Sequence, residues 1–296
     1  MTNNPIVTAL TEYVEERRGE LLSKAQLDGR SRRAMNLITD VKADTAINIM
    51  DTEVVFQELS CGWNESGSTE FSQRIMHPKA LTINQAFCDK NLLKYWANYE
   101  VKVAAGMEEM PFEEKWTSEI LKSINTQIES MLYFGTGSGA SFEGLVPILS
   151  AETGCTKVNV TSASSAYQFI KDVAAAIPVQ VKDPVILVST PLYREWMQNL
   201  VSANLFHYDP NNGENEYRLP GTDIRVIAVD GLNSSASTVA IAANMNNLVY
   251  GCSADSDADT FDLWFSKDNR EFRLAVNFVA GVQVAFPDEV VLGIRG

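Results

Sequence analysis

Three aspartates near the C-terminal end have the alternating spacing of an oxygen-ligand metal loop. Asp255, Asp257 and Asp259 lie two residues apart, and carboxylates at such steps open a calcium-binding loop. That loop also needs a glycine at its sixth position and a glutamate at its twelfth, where this chain has Thr260 and Ser266. A solvated acidic loop is therefore favoured over a specific metal site, and no metal ligand is assigned.

Candidates for acid–base or nucleophilic chemistry are few. The only histidines are His77 and His207, and because neither lies in a recognisable motif, both are interpreted as structural. The cysteines occur singly, without the paired spacing of zinc or redox sites, which favours buried thiols over disulfides. They are Cys61, Cys88, Cys155 and Cys252. The sequence thus predicts no catalytic residue, no cofactor and no enzymatic activity.

Gly135, Gly137 and Gly139 form a glycine cluster of the kind that can cradle phosphate. In nucleotide sites, however, the glycines follow a strand and open a helix, so that helix N–H groups meet the phosphate. Here they follow a helical pattern, and the chain lacks both the P-loop lysine and the acidic partner of a dinucleotide site. The cluster is therefore interpreted as a helix cap, because glycine adopts the left-handed conformation without steric cost.

The helix that these glycines end is the longest element that the sequence predicts. Pro111 suits a first helical turn, and apolar residues then recur at steps of three and four over roughly six turns. At 1.5 Å per residue, a rod from Pro111 to Phe134 would be about 36 Å long. Its apolar stripe consists of Trp116, Ile120, Ile124, Ile128, Met131 and Leu132. A helix of this length needs a large surface to lie on.

Composition and charge argue against several classes of function. The chain has 296 residues, of which 45% are hydrophobic and 21% charged, as is typical of soluble globular proteins. No apolar run approaches membrane-spanning length, and the start of the chain lacks a secretion signal, so we expect a cytoplasmic protein. The net charge of −14 opposes adhesion to nucleic acid. It falls entirely on residues 51–296, since residues 1–50 hold seven acids and seven bases.

Residues 1–50 are predicted to form an arm that gains more by packing on a neighbour than by folding alone. Gly19 interrupts their helical apolar stripe, and a polar stretch follows. That stretch contains the basic residues Arg30, Arg32 and Arg33. On so acidic a chain, we interpret these arginines as a solvated or subunit-contact patch rather than a DNA contact.

Residues 51–88 predict a long β-hairpin. Strand-like runs at 54–61 and 68–87 flank a turn-rich stretch, and Pro78 forces an edge or a break in the second run. The hairpin has too few apolar residues to bury itself, and Trp63 near its tip needs a cover. We expect it to lie on another subunit; the alternative is a hairpin folded back on its own domain. The candidate contact residues are Trp63, Phe71, Arg74 and Ile75.

The remaining segments complete an α+β fold. Residues 89–151 supply a helix and then the long helix, followed by an extended connector at 143–149. Residues 152–245 alternate helix with strand and predict an inserted α/β subdomain. Residues 246–296 predict strands, the last two forming a hairpin that turns at Ala280 and Gly281.

This order of elements resembles the Hong Kong 97-type major capsid proteins of tailed phages over nearly the whole chain. The most similar passages are LYFGTGSGASFEGLVPIL, VILVSTPLYREWMQNL and the tail from NLVYGCSADSDADTF onward. The resemblance implies an N-terminal arm at 1–50, an extended loop at 51–88 and an axial domain at 152–245. It also implies a peripheral domain at 89–151 and 246–296, with a spine helix at Met110–Phe134.

The resemblance further implies a structural role in a virion, whose capsid assembles in the host cytoplasm. Pentamers and hexamers of this chain would enclose double-stranded DNA without sequence-specific binding and without a membrane. A portal and a decoration protein are implied partners, and a separate scaffolding protein is expected because 50 residues leave little room for a scaffolding segment. Some relatives weld the shell through a lysine in the extended loop, but no lysine occurs from Gly62 to Phe71. An encapsulin-type cargo compartment and a small α/β enzyme are the alternatives.

Overall fold

The computed structural model describes residues 5–58, 66–105, 112–206, 215–234, 238–253 and 260–296. The α-helices are α1 (Pro5–Glu16), α2 (Arg18–Leu27), α3 (Arg30–Ala34), α4 (Asp89–Ala104), α5 (Phe112–Phe134), α6 (Leu145–Ala151), α7 (Ala166–Ala175) and α8 (Thr190–Ser202). No helix within these ranges is long and apolar enough to cross a membrane.

The strands form three sheets. They are β1 (Asn36–Ile38), β2 (Thr45–Glu53), β3 (Ser68–Met76), β4 (Lys79–Cys88), β5 (Thr156–Val160), β6 (Val185–Ser189), β7 (Glu216–Arg218), β8 (Arg225–Val229), β9 (Thr238–Ala243), β10 (Leu248–Cys252), β11 (Thr260–Ser266), β12 (Glu271–Val284) and β13 (Val291–Arg295). A five-stranded sheet has the order β1-β10-β12-β11, with β4 also paired to β12. A six-stranded sheet has the order β5-β13-β9-β6-β8-β7, and β2 and β3 form a separate two-stranded ribbon.

Helix α5 confirms the predicted long helix from Phe112 onward; residues 110 and 111 lie outside the described ranges. Of its predicted stripe, Ile124, Ile128 and Leu132 are buried, while the other members are half-buried. These residues join a core that α5 shares with the N-terminal helices and the five-stranded sheet. A second core lies between α7, α8 and the six-stranded sheet. The fold is therefore α+β, with α5 at the centre of its larger core.

Helix α5 ends at Phe134, immediately before the glycine cluster, as predicted. The predicted left-handed cap is wrong for Gly135, next to the helix end; positive φ values of 70° and 59° occur at Gly137 and Gly139, in the turn beyond the helix. The next segment was predicted to be an extended connector, and that prediction is wrong: residues Leu145–Ala151 form α6. The side chains of Leu145 and Leu149 are buried in the larger core and hold this short helix against it.

The predicted hairpin is present, but its first strand was placed too late. Strand β2 begins at Thr45, inside the predicted arm, and residues 54–58 are not in a strand. Pro78 breaks the second run as expected, since β3 ends at Met76 and β4 begins at Lys79. Strand β4 leaves the ribbon and pairs with β12.

The predicted turn at Ala280 and Gly281 is also wrong, because β12 runs through both residues. A Cβ at position 281 would lie 2.9 Å from the Cα of Pro78, so this glycine allows a close backbone approach. The C-terminal hairpin is instead β11 with β12. Strand β13, grouped with the peripheral strands from sequence, completes the six-stranded sheet between β5 and β9.

The N-terminal segment packs on its own chain. Leu10, Val14, Leu21 and Leu22 are buried in the larger core, where α1 and α2 contact α5 and β11. The expectation that this segment finds its cover on a neighbour is therefore wrong for α1 and α2. Their apolar residues supply the same core that holds α5.

Candidate functional site

Among the described residues, those whose types suggested chemistry do not come together in a metal-binding cluster. Within the described ranges, no group of three or more His, Cys, Asp or Glu residues is placed to hold a metal ion. Asp255, Asp257, Asp259 and His207 lie outside those ranges. His77 is on the surface, where its Nδ1 lies 3.0 Å from a carboxylate oxygen of Asp44. The exposed apolar surfaces of the described residues are the candidate functional features that follow.

One exposed apolar surface belongs to the β2–β3 ribbon. The strands are antiparallel, with Thr45 opposite Met76 and Glu53 opposite Ser68. Because strand side chains alternate between faces, the ribbon has an outer face and an inner face. The outer face comprises Ala46, Asn48, Met50, Thr52, Thr69, Phe71, Gln73 and Ile75. Its three large apolar side chains are 63%, 79% and 50% exposed at Met50, Phe71 and Ile75, respectively.

The inner face, formed by the intervening residues, attaches the base of the ribbon to the body of the chain. Ile49 and Met76 are buried. Arg74 forms an ion pair with Glu152, and Gln283 Nε2 donates a hydrogen bond of 2.8 Å to the carbonyl oxygen of Ile75. Arg74, predicted to contact another subunit, thus lies on the opposite face from Phe71 and is engaged within its own chain. The ribbon has a fixed base and an uncovered outer face.

Beyond β2, the chain presents a second exposed apolar segment. Val54 and Val55 are exposed, and the side chain of Phe56 is 96% exposed. Ser66 Oγ donates a hydrogen bond of 3.0 Å to the carbonyl oxygen of Val55, which joins the two sides of the ribbon end. Trp63, the predicted anchor of the tip, lies outside the described residues.

A groove about 920 Å³ in volume lies between α4 and α5. Two pairs of aromatic rings in its lining are in contact. The ring centroids of Phe87 and Trp116 are 5.2 Å apart, and those of Tyr99 and Phe112 are 5.8 Å apart. Tyr95 and Val101, also in the lining, are exposed. Lys115 lines the groove and Lys94 lines its continuation along α4.

Arg32 does not contribute to a surface patch, because it is 2% exposed. Its Nη2 donates to Asn125 Oδ1 at 2.6 Å and its Nη1 donates to the carbonyl oxygen of Gln26 at 2.5 Å. Its Nε lies 3.5 Å from Glu129 Oε1. The subunit-contact prediction is therefore wrong for Arg32. A buried cation needs such partners, and here they join α3 to α5.

Two buried tyrosines surround this charge pair. Tyr133 OH donates to Ser31 Oγ at 2.7 Å, and Tyr250 OH donates to the carbonyl oxygen of Gln26 at 3.3 Å. Burial raises the pKa of both phenols above the ordinary value, so both remain protonated donors. The network therefore ties the N-terminal helices to α5 and to β10.

The other two arginines of the basic stretch lie apart from Arg32. Arg33 is exposed and forms an ion pair with Asp28. Arg30 Nη1 donates to the carbonyl oxygen of Ala228 at 3.3 Å, which connects α3 to the six-stranded sheet. The structure does not bring the three arginines together as one patch.

Comparison with known proteins identifies the fold. No family model matches the chain, and no curated protein matches its sequence. Among solved structures, a chain from the procapsid of satellite phage P4, which includes the size determination (Sid) protein, is similar with a TM-score of 0.66 and 10% identity; the match covers 99% of this chain and 98% of that one. The capsid of a native GTA particle has a TM-score of 0.55 and 11% identity, covering 93% and 91%.

The fold is that of phage capsid proteins. A virus-like particle from Pyrococcus furiosus has the same fold, with a TM-score of 0.55 and 10% identity over 95% of this chain and 99% of that one. The P4 and GTA chains come from a procapsid and a capsid, respectively. Since these matches span nearly the whole chain, the ribbon, α5 and both large sheets are parts of one capsid fold.

Sequence reasoning identified part of the ribbon surface. It found Phe71 and Ile75, which the outer face brings together, but missed Met50 and Phe56. The signal for β2 was the pair of β-branched residues Ile47 and Ile49, on either side of the polar Asn48. The groove between α4 and α5 depends on how two helices pack, for which the sequence carries no local signal.

Proposed function

We propose that this chain is the major capsid protein of a tailed double-stranded DNA phage. Many copies would assemble in the host cytoplasm as pentamers and hexamers and close an icosahedral shell that remains in the virion. The observation that supports this function is the capsid fold across essentially the full chain, with 99% and 98% coverage against the P4 procapsid chain.

We infer that the arrangement is of the Hong Kong 97 type. In this interpretation α5 is the spine helix, the β2–β3 ribbon is the extended loop, and the five-stranded sheet is the core of the peripheral domain. The six-stranded sheet with α7 and α8 is the axial domain, which β13 joins from the C-terminal end. Because α1 and α2 pack on their own chain, only the exposed side chains of α1–α3 are available to act as an N-terminal arm on a neighbour.

The exposed outer face of the ribbon supports a role in assembly. Met50, Phe71 and Ile75 are exposed on one face, with the polar pair Asn48 and Gln73 between Phe71 and Ile75, and exposed apolar groups rimmed by polar residues typically mark interaction sites. A face on one element that contacts a different surface of the next copy makes a heterologous contact, which generates a ring when the rotation between successive copies closes. Each copy would then be held by several neighbours at once, so that individual contacts need only modest strength.

The charge of the chain fits a container for DNA. With 38 acidic and 24 basic residues, the protein has a net charge of −14 and repels the phosphate backbone on average. Packaged DNA would therefore move without sequence-specific attachment. A separate scaffolding protein, a portal and a decoration protein are the further partners that we propose.

Expression of the full-length chain, followed by sedimentation velocity and electron microscopy, tests the function. We expect closed particles from the wild type, and a folded subunit that forms few or unstable particles from Trp63→Ala or from deletion of residues 62–70. Wild-type yield and stability in the deletion would contradict the role of the ribbon end. A wild type that remains a monomer or small oligomer would favour the enzyme alternative and contradict the shell.

An encapsulin-type cargo compartment is the second candidate, favoured by the similarity to the virus-like particle from Pyrococcus furiosus. The contents of purified particles separate the two functions. Particles that take up DNA in the presence of the phage packaging proteins support the capsid, whereas DNA-free particles that enclose an enzyme support the compartment.

A further inference from the structure

We propose that the groove between α4 and α5 receives residues 53–58 of a second copy of this chain, with Phe56 as the anchor. This inference rests on the proposed shell function, because it assigns one specific contact between neighbouring subunits. The groove and the segment are both exposed in the single chain, so neither covers the other.

The two surfaces match in apolar character. Phe56 stands 96% exposed, and the groove offers an aromatic lining that includes Tyr95, Tyr99 and Trp116. Aromatic side chains buried in a pocket are typical anchors of protein interfaces, since they lose much exposed apolar area at little cost in entropy. A volume of about 920 Å³ is large enough for a phenyl ring and its flanking residues.

The two surfaces also match in charge. Residues 43–73 contain six acids and neither lysine nor arginine, and Phe56 lies between Glu53 and Glu58 along the chain. The groove carries Lys115 in its lining and Lys94 in its continuation, with Glu119 as the acidic member of the lining. Opposite charges around an apolar contact favour one partner and one register over others.

A second copy of the chain is the occupant that best accounts for both features. Every copy carries one acidic segment with Phe56 and one groove with Lys94 and Lys115, so each subunit would give one contact and receive another. Such a contact is heterologous, and its repetition around a pentamer or hexamer forms a closed ring.

A thiol cross-link tests the assignment, because the exposed thiol of Cys88 lies in the groove. In full-length chain carrying Cys61→Ser, the variant Gln57→Cys is assembled and treated with a short bis-maleimide. We expect a ladder of covalent multimers on a denaturing gel, a peptide joining positions 57 and 88, and loss of both with Cys88→Ser. The matched control Gln73→Cys, on the outer face of the ribbon, should give little linkage to Cys88.

Charge exchange supplies an independent measurement. Lys94→Glu should raise the subunit concentration needed for assembly by about tenfold or more, and so should Phe56→Ala. Adding Glu58→Lys to Lys94→Glu should recover most of the loss. Circular dichroism and thermal melting of each variant should match the wild type, because all three altered side chains are exposed.

The outcomes separate this inference from the proposed function. Wild-type particles that assemble, without linkage from position 57 to Cys88 and without effect of Phe56→Ala, would overturn the groove assignment and leave the shell intact. A link confined to monomers would place the segment on its own chain and would also overturn it. A wild-type chain that forms no particles would overturn both.

Discussion

Met50 and Phe71 lie directly opposite each other across the β2–β3 ribbon, and both side chains are exposed on its outer face. The inner face of the same strands holds the buried Met76 and the Arg74–Glu152 ion pair. Cross-strand apolar pairs contribute to sheet stability only modestly, up to about 1 kcal/mol. The exposed Met50–Phe71 pair therefore adds little to the stability of the single chain. Contact with a neighbouring chain accounts better for its apolar character.

Substitution of Phe71 should separate folding from assembly. Phe71→Asp should leave the melting temperature of the subunit nearly unchanged, since the side chain is exposed, while weakening each subunit contact by about 2 kcal/mol or more. Sedimentation velocity across a concentration series measures the loss. Ser72→Asp adds the same charge on the other face of the ribbon and should cost much less. Equal losses from the two variants would contradict an outer-face contact.

Removal of the Arg32 guanidinium should destabilise the fold itself. Arg32→Met leaves the buried Glu129 carboxylate without its cation, and breaking a buried ion pair in this way costs about 3 to 5 kcal/mol. Urea denaturation of the dissociated subunit gives the change in free energy of unfolding. Arg33→Met removes an exposed pair and should cost less than about 1 kcal/mol. A similar small cost at Arg32 would show that the network does not hold α3 on α5.

Gly29, immediately before α3, and Gly19, in α2, should respond to alanine in opposite directions. A Cβ at Gly29 would overlap Glu129 Oε1 and would disturb the carboxylate that faces Arg32. Nothing lies within 4 Å of a Cβ at Gly19, so alanine there should stabilise α2 by up to about 1 kcal/mol. Thermal melting should therefore shift down for Gly29→Ala and up for Gly19→Ala. A downward shift at both positions would refute this packing.

The thiols of Cys155 and Cys88 should differ in their reactivity with pH. Cys155 is buried, its Sγ donates to the carbonyl oxygen of Val290 at 3.3 Å, and burial raises the pKa of the thiol. Since the thiolate is the nucleophile, alkylation of Cys155 should begin only at higher pH than for an ordinary cysteine. Iodoacetamide labelling with peptide mapping at pH 8 should modify the exposed Cys88 and leave Cys155 largely unmodified until urea is added. Comparable labelling of both in the folded chain would contradict the burial.

Local periodicity carried much of the fold prediction. Helices α5, α7 and α8 and strands β6, β8 and β9 follow from apolar spacing and from capping residues such as Ser165, whose side chain accepts a hydrogen bond from the N–H of Gln168. These elements are decided by residues close in sequence, so their positions could be predicted. The order of the elements then carried the resemblance to capsid proteins.

The errors came from features that depend on distant residues. The side chains of residues 54–56 favour a strand. Strand β2 nevertheless ends at Glu53, because Glu53 pairs with Ser68, the first residue of β3. Gly281 resembled a turn residue, whereas its neighbour in space is Pro78. Arg32 lies in the polar stretch that follows Gly29. Its burial depends on the contact with the carboxylate of Glu129, 97 positions away. No local pattern contains such information.

Electron microscopy of the purified full-length chain is the most direct test of the central claim, which is assembly through surfaces that one chain leaves uncovered. The account predicts closed particles of uniform diameter, with the outer face of the β2–β3 ribbon covered by a neighbouring copy. A stable monomer at every concentration, with Phe71 still exposed to solvent, would contradict it.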